Sequence, residues 1–219
     1  MQIDFANLKI QHNLYKEEIE EAILKVARDC NFIMGSQIDE LERNLEKFTG
    51  SKYAISCSSG TDALLLAMMA FDIQPDDEII TTPFTFFATA ETIAFLKAKP
   101  VFVDIDEKTY NIDPSKIEEK ITPKTKAIIP VSLYGQPADM DEINQIAKKY
   151  NLKVIVDGAQ SFGSTYKGIS DSNLGDISCT SFFPAKPLGC YGDGGALFTN
   201  DEKLADKINF ITFAAKLVK

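Results

Sequence analysis

One lysine in this sequence sits where it could do chemistry. Lys186 lies within Ser181-Phe182-Phe183-Pro184-Ala185-Lys186-Pro187-Leu188-Gly189-Cys190-Tyr191-Gly192-Asp193-Gly194-Gly195. Pro184 and Pro187 fix φ, remove amide donors and push the residues before them out of the helical region, so Lys186 rides on a stiff, non-helical segment. Gly189, Gly192, Gly194 and Gly195 allow close backbone approach and positive φ. Phe182, Phe183, Leu188 and Tyr191 crowd the position, and a desolvated amine suits Schiff-base chemistry. Most of the other lysines read as solvated surface charges.

Three further features stand at the ends of predicted strands. Ser59-Gly60-Thr61 joins a short apolar run to a helix N-terminus, where exposed amides, the helix dipole and hydroxyls favour an anion such as phosphate. A plain capped helix is an equally good reading of those residues alone. Asp157 ends an apolar strand and is followed by Gly158-Ala159-Gln160. A carboxylate there can hold a cationic nitrogen, although an N-cap or surface aspartate is the commoner case. Phe86, in Thr85-Phe86-Phe87-Ala88-Thr89, can stack on a planar ring, whereas Phe87 is expected to pack in the core. Taken together, a phosphate turn, a stacking aromatic, a strand-end aspartate and a crowded loop lysine match what pyridoxal 5'-phosphate requires.

Positioning these groups calls for alternating strands and helices. Lys16–Asp29 and the segment after Ser36 are predicted helices, with Ser36 as cap and Gly50 as stop. Predicted strands cover Tyr53–Cys57, Glu78–Thr81, Val101–Ile105, Ala127–Val131, Val154–Val156, Ile177–Phe183 and Ala196–Thr199. Predicted helices cover Ala63–Phe71, Phe87–Leu96, Pro114–Ile121 and the segment capped by Asp139 with Glu142; Asp201 begins the last. The fold class is therefore α/β, a mainly parallel sheet with helices on both faces. Ligands of such sheets sit at the carboxyl ends of strands.

Composition narrows the function classes. The chain has 219 residues, 45% hydrophobic and 25% charged, with a formal net charge of -9. No basic block exists, which argues against nucleic acid and anionic membrane as partners. No apolar run reaches transmembrane length, and Met1–Phe5 lacks the pattern of a signal peptide. Cys30, Cys57, Cys179 and Cys190 lack CxxC spacing and fit reduced thiols of a cytoplasmic protein. His12 is the only histidine, which nearly excludes a histidine-based zinc site or a Ser-His-Asp triad deeper in the chain.

The stretches SSGTDALLLA (58–67), PFTFFATAETIA (83–94), AKPVFVDID (98–106), VDGAQSFGSTYKG (156–168) and GDISCTSFFPAKPLGCYGDGGALFTND (175–201) resemble the DegT/DnrJ/EryC1/StrS sugar aminotransferases. These are pyridoxal-phosphate enzymes of fold type I, and the likeness runs from about Ile3 to about Ile208. Residues 121–143 and 179–196 resemble most the transaminases acting on UDP-linked 3-keto-N-acetylhexosaminuronic acid. The resemblance implies an N-terminal arm and helix over 1–35 and a cofactor-binding large domain over 36–219. It implies that Lys186 forms the imine and shuttles the proton, and that Asp157 pairs with the pyridine nitrogen. Gln160 would lie near the ring 3-hydroxyl, Gly60, Thr61 and Ser181 would bind the phosphate, and Phe86 would stack on the ring. It also implies glutamate as amino donor, a UDP-linked ketosugar as acceptor, a role in surface polysaccharide or glycan biosynthesis and, for a complete protein, a homodimer. Family members continue beyond Ile208 to a smaller C-terminal domain, whereas this chain ends Asn209–Lys219 in a tail unlike theirs; a truncated form is expected. Other readings are amination of a 4-keto sugar, a cofactor-binding relic without turnover, and a related dehydratase. Lys186 argues against the dehydratase, in which histidine replaces the lysine.

Overall fold

The computed structural model describes residues 7–217, with side chains through Thr212. The readings made for Met1–Phe5 and for the last two residues of the tail lie outside the described residues. In chain order the elements are α1 (Leu8–Asp29), α2 (Ser36–Thr49), β1 (Tyr53–Cys57), α3 (Gly60–Ala70), β2 (Glu78–Thr81), α4 (Ala88–Phe95) and β3 (Lys99–Phe102). Then come β4 (Thr125–Ile128), α5 (Met140–Tyr150), β5 (Lys153–Asp157), the small hairpin β6 (Thr165–Tyr166) and β7 (Ile169–Ser170), β8 (Ile177–Ser181), β9 (Gly195–Thr199) and α6 (Glu202–Leu217).

Seven strands form one sheet in the order β1-β9-β8-β5-β4-β2-β3, parallel except that β9 runs against both neighbours. Successive side chains point to opposite faces, and the strands are apolar on both. In β5, Ile155 packs on one face with Ala63, Leu64, Ala67, Ile93 and Ile208 of α3, α4 and α6. Val154 and Val156 pack on the other face with Ile143 and Ala147 of α5. A third cluster joins Leu45 of α2 to Ala54 and Phe198. Each fully buried aliphatic side chain contributes about 1.5–3 kcal/mol.

Several expectations shift. The segment Pro114–Ile121 forms two 3-10 turns, Pro114–Lys116 and Glu118–Lys120, rather than a helix. Ile117 is fully buried there, but the charged residues beside it give no apolar stripe long enough to sustain a helix. β3 starts at Lys99 and takes in Pro100, which the sheet tolerates because β3 pairs only with β2 at the edge. α1 extends back to Leu8 and has no buried residue. Gly35 rather than Ser36 holds the N-cap position of α2, and Asp139 stands at the N-cap of α5 without a side-chain cap bond. Gly50 ends α2 at φ +75°, where L side chains are strained.

Candidate active site

β1, β2, β5 and β8 run in the same direction, so their carboxyl ends share one edge of the sheet. Asp157 and Ser181 are the last residues of β5 and β8, and Gly60, Thr61, Phe86, Gln160 and Lys186 follow the ends of β1, β2, β5 and β8. The edge is held tight where β1 meets β9 and β8. An added Cβ on Gly60 would lie 2.6 Å from Cβ of Ser181, and one on Gly195 would lie 2.5 Å from the Ser59 carbonyl. Only glycines let the Ser59–Gly60 turn close on these strands. Gly60, Thr61 and Ser181 thus form one cradle.

The cradle opens α3. The Ser59 hydroxyl accepts from the Asp62 amide at 3.0 Å, and the Ser58 and Ser59 hydroxyls both donate to the Asp62 carboxylate. Asp62, the acidic residue of this first turn, is therefore turned onto the two serines. The amides of Gly60 and Thr61 precede the helix's own hydrogen bonding and suit an anion. Cys57, beside the turn, has its thiol pushed up to about 12 by burial, which favours the protonated form.

Asp157 is 5% exposed. Its backbone is fixed between β4 and β8: its amide donates to Pro130, its carbonyl accepts from Ser132, and the next amide, Gly158, donates to Cys179. Its carboxylate accepts from the Thr89 hydroxyl at 2.7 Å and from the Ala159 amide at 3.2 Å. Burial raises its protonation midpoint, while Thr89, the Ala159 amide and the positive charge of Lys186 oppose that rise. A buried carboxylate with a hydroxyl on one oxygen and one amide on the other has lone pairs left for a cationic N–H.

Lys186 stands on the loop between β8 and β9, and its charge reaches Asp157. The loop folds on itself: the Lys186 amide donates to Phe183 at 2.8 Å and the Cys190 amide to Phe182 at 2.7 Å. A Cβ on Gly189 would sit 2.3 Å from the Pro184 carbonyl, so the fold-back between Pro184 and Gly189 needs a glycine. Lys186 is half-buried. A cavity of about 540 Å³ lies between the loop and α1; Leu8, His12, Ile19, Pro184, Cys190 and Tyr191 are among its lining, and Lys186 and Asp157 are not.

Gln160 and Phe86 complete the group. The Gln160 side-chain oxygen accepts from the Tyr134 amide at 2.9 Å, which leaves its NH2 as a donor. Tyr134 adopts φ +54°, a strained value for a tyrosine. Phe86 is 69% exposed, as a ring-stacking residue outside the core would be. Phe87 was expected in the core but is 70% exposed. It precedes the first turn of α4, and Ala88 and Thr89 are the residues that turn inward there.

The sequence reading missed Thr89, Tyr134 and a second buried carboxylate, Asp171, which accepts from the Ser132 and Ser161 hydroxyls at 2.7 and 2.5 Å. Thr89 carried a usable signal: a buried strand-end aspartate needs a donor, and Thr89 lies on the helix that follows β2, a strand whose carboxyl end shares the sheet edge with that of β5.

A model described as the DegT/DnrJ/EryC1/StrS aminotransferase family matches residues 13–217. A Pseudomonas aeruginosa protein named UDP-2-acetamido-2-deoxy-3-oxo-D-glucuronate aminotransferase is 57% identical over 209 residues, which is 95% of this chain and 58% of the relative. A DegT DnrJ EryC1 StrS aminotransferase from Brucella abortus superposes with a TM-score of 0.91 at 39% identity, over 96% of this chain and 58% of that one. DesV of S. venezuelae, solved with a ketimine intermediate, superposes with a TM-score of 0.92 at 34% identity, over 95% and 56%. The chain spans less than two thirds of the length of these proteins. It belongs to the DegT/DnrJ/EryC1/StrS aminotransferase family.

Proposed function

We propose that the chain is the cofactor-holding part of an aminotransferase that passes an amino group from an amino acid, glutamate being the expected donor, to a nucleotide-linked ketosugar. The amino acid leaves as its 2-oxo acid and the ketosugar as an aminosugar, so the exchange balances without an outside oxidant. Residues 36–219 form the cofactor-binding domain and 1–35 its N-terminal arm and helix. Cytoplasmic work in surface polysaccharide or glycan biosynthesis, and a homodimer of the complete protein, belong to the same reading.

The observation that carries it is the buried carboxylate of Asp157 at the end of β5, on the same sheet edge as the Gly60–Ser181 cradle and the foot of the loop that carries Lys186. These residues fit pyridoxal 5'-phosphate, which when bound supplies a carbonyl for amine exchange and a ring that takes up electrons. Gly60, Thr61 and Ser181 receive the phosphate, where amides of a helix N-terminus favour a dianion. Asp157 would keep a proton on the ring nitrogen, Gln160 would offer its NH2 to the cofactor and Phe86 would supply an aromatic surface for it. Lys186 would supply the amine that holds the cofactor and would serve as general base and acid for proton movement. The 3-oxo uronate in the name of the Pseudomonas relative favours a UDP-linked 3-keto-N-acetylhexosaminuronic acid as acceptor over a 4-keto sugar.

Incubating the purified chain with pyridoxal phosphate, reducing with borohydride and mapping peptides by mass tests the cofactor half of the proposal. Modification at Lys186 is expected; modification spread over surface lysines would reject it. The other half is tested with glutamate and UDP-ketosugars, following 2-oxoglutarate. A second reading, cofactor capture without turnover, draws on the exposed Phe86 and Phe183 beside the site; labelling at Lys186 without 2-oxoglutarate would favour it.

A further inference from the structure

Asp171 has no place in the scheme above, yet its side chain is held as closely as that of Asp157. It is 2% exposed and opens the 3-10 turn Asp171–Asn173 that follows the β6–β7 hairpin. Lys167 and Gly168 turn that hairpin with φ values of +50° and +82°. The return stretch brings Asp171 beneath the ends of β4 and β5. One carboxylate oxygen accepts from Ser132 Oγ at 2.7 Å and the other from Ser161 Oγ at 2.5 Å. Both donors belong to the frame of the site. The Ser132 amide donates to the carbonyl of Asp157, and the Ser161 amide closes the turn onto the carbonyl of Gly158.

Gly158 marks the point of contact. A Cβ there would lie 2.6 Å from Asp171 Oδ2 and 3.1 Å from the Cys179 carbonyl. The absence of a side chain at Gly158 therefore admits the carboxylate against the turn that links Asp157 to Gln160. Asp171 is itself anchored: its amide donates to Ser164, and its carbonyl accepts from Ser178 Oγ at 3.1 Å. The Ser164 hydroxyl, in the same loop, is buried without a hydrogen-bond partner.

We infer that Asp171 is a positioning residue for Asp157 and Gln160: by bridging Ser132 and Ser161 it fixes the two strand-end segments that carry them, and so sets how the site receives pyridoxal phosphate. A carboxylate suits this task because both of its partners can donate. The inference rests on the pyridoxal-phosphate reading of the site, and the experiment is arranged so that the two can fail separately. The charged group that acts on Asp171 is Asp157, and Cys179 lies across the Gly158 turn from it.

The test compares Asp171→Asn, Asp171→Ala and Ser161→Ala with the unaltered chain, using pyridoxal 5'-phosphate itself as probe. Three readouts are taken: the dissociation constant, the pH profile of the bound cofactor's absorbance, and the carboxyl-carbon NMR titration of Asp157 in cofactor-free protein. Asp171→Ala removes both bonds of the bridge and is expected to weaken cofactor binding about tenfold. It should also move the absorbance profile and the Asp157 titration. Asp171→Asn keeps one acceptor and is expected to recover part of each. Unchanged binding, absorbance and Asp157 titration in variants that only melt earlier would overturn the inference and leave Asp171 a packing residue. If the aspartate variants do not fold, Ser161→Ala decides by the same criteria. If the unaltered chain takes up no pyridoxal phosphate, the cofactor reading fails; the NMR titration then still decides whether Asp171 sets the state of Asp157.

Discussion

Asp157 ends a strand that is hydrogen-bonded on both sides, and a hydroxyl and an amide meet its carboxylate deep in the fold. Lys186 stands half-buried on a loop whose shape comes from Pro184, Pro187 and the fold-back at Gly189. The two stand at the same sheet edge on different supports. The aspartate is placed by long-range packing and the lysine by local covalent restriction. The difference teaches where each is fragile: the aspartate to changes in the sheet and its buried polar groups, the lysine to changes within its own loop.

The sharpest way to test the contrast is Lys186→Ala. Borohydride-stable attachment of pyridoxal phosphate should disappear altogether, while folding stability moves by no more than about 0.5 kcal/mol, as for substitutions away from the core. A large loss of stability would mean that the lysine belongs to the packed frame after all. Gly189→Ala comes next. Its Cβ would stand 2.3 Å from the Pro184 carbonyl, so the loop must open at a cost of about 1–3 kcal/mol. Attachment should drop about tenfold or more while circular dichroism stays unchanged.

On the aspartate side the effect is one of pH. Burial raises the midpoints of Asp157 and Asp171 in the folded chain above unfolded values of about 4. The stability that these groups contribute is present in full below that pH and is lost as pH rises through the raised midpoints. Thermal melts of cofactor-free protein should show this fall, and Asp157→Asn should flatten it, raising Tm at neutral pH by about 2 °C or more. A melt curve unchanged by that substitution would break the comparison. The smallest effect is expected at Phe86. Phe86→Ala should leave stability within about 0.5 kcal/mol and weaken cofactor binding by about 1 kcal/mol, read by titration.

Much of this frame was legible in the sequence because its signals are local. Pro184, Pro187 and the glycines around Lys186 restrict φ whatever the surroundings, and the apolar run into Asp157 marks a strand end. The alternation of elements gave the parallel sheet. Asp171 stayed hidden for the opposite reason. It arrives by way of two-residue strands, too short for a period-2 pattern, and its partner Ser132 lies 39 residues away in the chain. A Lys167-Gly168 pair between Tyr166 and Ile169 was the one local hint of a turn. Phe87 misled because an aromatic residue at the start of a helix is no guide to which side the helix buries.

The reversal of β9 has a mechanical consequence for Lys186. Ser181 and Gly195 are paired across β8 and β9, so residues 182–194 form an arch with both feet pinned side by side in the sheet. Lys186 within the arch cannot drift from the edge unless rungs of that ladder come apart. Whatever Lys186 binds, this architecture keeps it on a short tether rather than on a free strand.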